Sequence, residues 1–192
     1  MSENIKKGIL FALLTALISG FSIFYNKLVI TKGIDPLIFN IMKNGGVALL
    51  ISTLLITTKQ LPKFKKLTAN QWQKLILIAI VGGSIPFILF FEGLRSVSAT
   101  NANLIHKTLF IWVAVMAIPV LGERLNVWQV LGYSVVAWSN LFIGGFSGFT
   151  GNTGEFMLLA ATLLWSVENV IAKIALKDID SNIVAWGRMF LG

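Results

Sequence analysis

Residues 98–124 read SATNANLIHKTLFIWVAVMAIPVLGER. A helix rises about 1.5 Å per residue and needs about 20 residues to cross a hydrocarbon core about 30 Å thick, so this run is long enough to span a bilayer. Its first half nevertheless holds Asn101, Asn103, His106 and Lys107, and it ends abruptly at Gly122-Glu123-Arg124. A charge inside hydrocarbon is costly, which makes an intramembrane ionisable residue a candidate functional group.

The rest of the chain repeats the pattern. Of 192 residues, 56% are hydrophobic and only 12% charged, and the mean hydropathy is +0.80. That composition lies outside soluble globular domains and fits an integral membrane protein. Six complete spans are expected, over 8–30, 36–58, 72–91, 98–124, 127–146 and 154–176, and residues 182–192 begin a seventh. The run after Lys6 and Lys7 resembles a signal peptide but continues too far, and it reads as a retained first span. Alternating segments of an outer-membrane barrel are absent, and backbone groups in lipid must be satisfied within the segment. The expected fold is an all-α polytopic membrane helical bundle.

The surplus of 16 Lys and Arg over 8 Asp and Glu sits between apolar runs. It therefore speaks for topology rather than for nucleic acid. The longest linker holds Lys59, Lys63, Lys65, Lys66 and Lys74, which makes it cytoplasmic by the positive-inside rule. The N-terminus, with Lys6 and Lys7, follows it inside. Arg124 and Lys177 fall on the same side, whereas Lys32 and Arg95 fall outside and the linker SGFTGNT (147–153) has no cation. The expected location is the plasma membrane, with a cytoplasmic N-terminus.

Setting Lys27 against Lys173 aligns LLTALISGFSIFYNK with LLAATLLWSVENVIAK, and Lys43 then falls within one position of Arg188. Five helices separate the copies, and an odd number inverts the second relative to the first, as in many secondary transporters. The expected division is a first repeat over 1–146 and the start of a second over 147–192. Gly192 then reads as a truncation of a ten-helix inverted-repeat carrier, and a natural stop there would instead imply a half-size, dimerising protein.

Thr15, Ser19, Ser22 and Asn26 form one stripe of the first span. The stripe suits either close helix packing or a cavity wall. The repeat places Ser22 opposite Glu168, the acid near the middle of the sixth span. Lys43, His106 and Lys107 lie about 10–15 Å deep in spans that enter from outside, and Glu168 is the natural partner for Lys107 or Lys43. Lys43 could alternatively snorkel to the headgroups. His106, beside Lys107 and near an acid, is a candidate for proton coupling. Pro86 and Pro119 each free a carbonyl one turn earlier, a feature of hinges and binding sites. Trp165 lies deep enough either to stack on a ligand or to pack.

With no cysteine there is no thiolate metal site and no thiol catalysis. Neither a phosphate loop, HExxH, nor a Ser-His-Asp order is present. No enzyme activity, cofactor or metal is expected.

Over essentially all 192 residues, and most specifically from Phe87 to Gly132, the chain resembles the EamA family of the drug/metabolite transporter superfamily. Ser98-Ala99, Ala102, Leu104-Ile105, Glu123-Arg124-Leu125, Gln129 and Gly132 carry that resemblance in order and spacing. It departs where many members have proline in helix four, here His106 to Phe110, and arginine in helix two, here Lys43. Many also have Trp-Gly in helix one, where this chain has Ser19-Gly20. The resemblance implies a ten-helix carrier of two inverted five-helix repeats.

The expected function is a secondary transporter exporting a small polar metabolite, amino-acid-like or drug-like, by alternating access and coupled to protons or exchange. Lys43, His106, Lys107, Glu168, Ser22, Asn26 and Trp165 are the residues expected to line or gate its cavity. The same residues also suit two alternatives, a nucleotide-sugar or organic-anion carrier and a non-transporting membrane scaffold.

Overall fold

The computed structural model describes residues 3–122, 124–143 and 149–192. Among these, five helical stretches are long and apolar enough to cross a membrane: Lys6–Thr31, Pro36–Thr57, Ala69–Ser96, Ala99–Leu121 and Thr153–Ala175. The chain is a polytopic helical membrane protein. Elements are α1 Glu3–Thr31, α2 Pro36–Thr57, α3 Ala69–Ile78, α4 Ile85–Ser96, α5 Ala99–Lys107, α6 Leu109–Leu121, α7 Val127–Ile143, α8 Thr153–Ala175 and α9 Ser181–Trp186. The expected fifth span begins with α7; its expected end at Phe146, the repeat boundary at 146/147 and Glu123 all lie outside the described residues.

Local chemistry sets where these helices begin. Asp35 accepts hydrogen bonds from the Leu37 and Ile38 N–H groups, with Pro36 at the first helical position of α2. Proline there gives up only an N–H that had no intrahelical partner. Thr68 and Gln71 form a reciprocal capping box at α3, and Ser98, Asn152 and Asp180 cap α5, α8 and α9 through their side chains. Each satisfies N–H groups that the helix itself leaves open. Gly122 ends α6 at φ 67, a left-handed conformation that a residue without Cβ adopts freely.

Two of the spans are not uniform helices. The stretch expected as one helix over 98–124 divides at Thr108, whose ψ is −10. Its Oγ1 donates to the Ile105 carbonyl at 2.7 Å and accepts from Trp112 Nε1 at 3.1 Å. Such back-bonding by a hydroxyl bends helices. Between α3 and α4 the backbone widens into a π turn over Ala79–Ser84. Pro86, four residues after Gly82, has no N–H with which to close the regular ladder.

The long helix α8 lies at the centre, against α4, α6, α3 and α5, while α1 touches α4 and α5. Two apolar clusters result. Ile23, Ile30, Phe90, Phe91, Leu94, Val97, Ala102, Leu158, Ala161 and Trp165 form the first. Leu55, Leu75, Ile78, Ala175, Ile179, Ile183 and Val184 form the second, near the lysine-rich linker.

Lys27 is satisfied within the bundle. Its Nζ donates to the carbonyls of Leu94 at 2.6 Å and Val97 at 2.8 Å, at the C-terminal end of α4 where carbonyls lack helical partners and the dipole favours a cation.

Candidate functional site

The cavity at the middle of the bundle forms because several helices each bring one polar or aromatic face to the same place. It measures about 480 Å³, within the range of about 300–1,000 Å³ usual for small-molecule sites. From α1 come Thr15, Ser19, Ser22 and Asn26; the four-three-four spacing keeps them on one stripe, and that stripe faces the cavity. Lys43 enters from α2, Phe87, Phe90 and Phe91 from α4, His106 from α5, and Trp165 and Glu168 from α8. Arg188 reaches it from the π turn Gly187–Leu191 after α9.

Six of the seven residues singled out from sequence therefore meet in one cavity: Ser22, Asn26, Lys43, His106, Trp165 and Glu168. Lys107 is not among its lining residues; it lies in the last turn of α5. The expected pairing of Glu168 with Lys107 or Lys43 is corrected. Glu168 Oε2 lies 3.6 Å from Arg188 Nη2, and the Glu168 side chain is 7% exposed. Arg188 wins because the short α9 docks on α2 and delivers the terminal turn to the α8 carboxylate, whereas Lys43 Nζ lies over the rings of Phe91 and Phe87, at 5.3 and 5.8 Å.

The π turn supplies a further acceptor. The Gly82 carbonyl, left without a proline N–H to receive, accepts Trp165 Nε1 at 3.0 Å and Arg188 Nε at 3.4 Å. That carbonyl fixes both the indole and the guanidinium. Gly82 must also be glycine for space: a Cβ there would overlap Glu168 Cγ and lie 2.8 Å from its Cδ. Pro86 was the sequence signal for this acceptor. Sequence reasoning did not assign the aromatic wall of Phe87, Phe90 and Phe91 to the site, nor Arg188, whose only signal was its alignment with Lys43.

His106 stands edge-on between two rings, 5.1 Å from Trp165 and 5.7 Å from Phe90, measured between centroids. Its Nδ1 is buried with no hydrogen-bond partner among the described residues. Phe87 also meets Trp165 edge-on at 5.2 Å. The cavity thus combines an aromatic wall, an internally paired acid and base, a lysine over phenyl faces, and a polar stripe.

The EamA-like transporter family matches residues 6–145. The chain belongs to that family. An uncharacterized transporter of Haemophilus influenzae is 25% identical over 200 residues, covering 100% of this chain and 63% of the relative. The uncharacterized transporter YoaV of Bacillus subtilis is 26% identical over 163 residues, 81% of this chain and 54% of its own length. One from Methanothermobacter thermautotrophicus is 26% identical over 133 residues, 66% of this chain and 39% of its own. The chain spans about half the length of the curated relatives it matches. No solved structure matches it. The names of the family and of these relatives point to transport rather than catalysis.

Proposed function

We propose that the protein is a secondary transporter that moves a small polar metabolite by alternating access, as an exporter in the plasma membrane with its N-terminus cytoplasmic. The observation that carries this reading is the convergence of four polar α1 side chains, Lys43, His106, the Glu168–Arg188 pair and an aromatic wall on one mid-bundle cavity. A scaffold has no need of such a space, because charges that only lock helices together are closed by packing. Residues 1–146 act as one repeat and 147–192 as the start of an inverted second. In support, both members of the aligned pairs Lys43 and Arg188, and Ser22 and Glu168, line the same cavity.

Coupling would run through Glu168. Protonation of its carboxylate removes the charge that holds Arg188, freeing the guanidinium to shift with the π turn on which it sits, and deprotonation restores the pair. The full-length protein in proteoliposomes tests this directly. Counterflow of a metabolite driven by a proton gradient is expected, with Glu168→Gln removing the pH dependence of flux. Unchanged flux and pH profile in that variant would overturn the coupling role, and absence of flux across a broad metabolite panel would overturn transport.

A further inference from the structure

The charges lining the cavity do not balance. Glu168 and Arg188 offset each other across 3.6 Å, which leaves Lys43. Among the described residues its ammonium has no carboxylate and no carbonyl; its contacts are the faces of Phe91 and Phe87. Lys27 is the internal control. The same residue type, one helix earlier, is closed by the Leu94 and Val97 carbonyls. The fold can satisfy a lysine within a span, and at Lys43 it does not. Cation–π attraction offsets only part of the loss of water around a half-buried ammonium.

The surroundings restrict what completes it. Beside Lys43, Phe87, Phe90 and Trp165 form an apolar wall, with Phe87 edge-on and Phe90 tilted against the indole. His106 belongs to the same wall, edge-on against Trp165 and Phe90. Glu168 is engaged by Arg188, so the lining holds no acid to receive a ligand's ammonium. A second ligand anion would likewise find no second unengaged cation among the lining residues.

Resting on the carrier reading above, we infer that the cavity takes an amphipathic organic monoanion. Its anionic group sits at Lys43, and its aromatic or apolar body lies along Phe87, Phe90 and Trp165. Zwitterions, dianions and cations fit less well, for reasons of charge alone.

The test uses the full-length protein in phosphatidylcholine vesicles, with radiolabelled 3-phenylpropionate as the probe and 3-phenylpropionamide, phenylalanine and phenylsuccinate as competitors. Saturable 3-phenylpropionate binding is expected, with each competitor weaker than the unlabelled monoanion by at least about tenfold. Lys43→Gln should lose at least about tenfold in affinity, while Lys43→Arg stays within about threefold; unfolding temperatures of both variants show that the fold is kept. Equal competition by the amide or by phenylalanine overturns the assignment, as does wild-type affinity in Lys43→Gln. If only solutes of other charge bind and exchange, the monoanion inference fails and the carrier reading stands; if no solute of any charge binds or exchanges, both fail. Loss of 3-phenylpropionate binding on adding phosphatidylglycerol would make a lipid anion the occupant, and would overturn the assignment to a soluble solute.

Discussion

The cavity and the lysine-rich end of the bundle treat polar groups in opposite ways. At the lysine-rich end two lysines are closed across elements. Lys63 pairs with Asp180 at 2.7 Å and Lys74 with Asp178 at 3.0 Å, while Gln71 Nε2 donates to the Asp178 carbonyl at 2.8 Å. Beneath them Phe64 meets Trp186 edge-on at 4.8 Å, over buried Leu75 and Ile183. In the cavity, by contrast, Lys43 meets only ring faces among the described residues, and His106 Nδ1 is buried with no partner among them. Completed polar networks make an element rigid, and incomplete ones are costly unless something else completes them. The difference separates a closed structural joint from a place prepared for a solute.

Four changes should break or sharpen that contrast, from the largest effect to the smallest. Gly82→Val drives a side chain into Glu168 and displaces the carbonyl that holds Trp165 and Arg188. A loss of more than about 3 kcal/mol and of all solute flux is expected, read by thermal unfolding and counterflow; normal flux would show that the cavity does not need this close approach. Leu75→Ala leaves a hole in the second apolar cluster, where Leu75 is fully buried. It should cost about 2–4 kcal/mol in denaturant stability and leave ligand affinity within about twofold. A fall in affinity as large as that of a cavity variant would mean that the two regions are not separable.

Trp165→Phe keeps much of the ring surface but removes the N–H donated to Gly82. About 1–2 kcal/mol of stability should go, with a change in solute affinity that Leu75→Ala does not show; equal binding in the two variants would contradict the role of the indole. The smallest effect concerns Asp180. Its carboxyl is held below the ordinary range, first by the hydrogen bond from Lys63 and then by the Asn182 N–H. A carboxyl with a lowered folded pKa stabilises the fold above its unfolded pKa, near about 4, and that contribution is lost as pH falls through the folded value. Asp180→Asn should therefore lower stability by under about 1 kcal/mol at neutral pH, and the gap to the parent should close below about pH 4. A gap that persists at acid pH would assign the effect to capping of α9 instead.

Much of the architecture was legible in the chain because its causes are local. Apolar runs of span length, Asp35-Pro36, Thr68 with Gln71, and Ser98 mark where helices lie and begin, through bonds within a few residues. Pro86 marked a freed carbonyl for the same reason. The site was legible in part: periodicity put Ser22 and Asn26 on one face, and cost in lipid pointed to Lys43, His106 and Glu168. Lys107 met the same criterion and lies off the cavity lining, because depth along a helix does not say which way a side chain is turned. The division of the fourth span at Thr108 depends on one hydroxyl choosing a backbone acceptor, which hydropathy does not register.

What the sequence determined by itself is the set of helices, their caps and the polar residues within them, since these follow from hydrocarbon thickness and the hydrogen-bonding demands of the backbone. What only the tertiary structure decided is which of those polar groups close on one another. Glu168 meets Arg188, Lys27 meets the end of α4, and Lys43 is left to two phenyl rings. Pairing acts over a few ångströms between residues 67 positions apart for Lys27 and Leu94 and 117 apart for Lys63 and Asp180, and that distance is set by how helices pack.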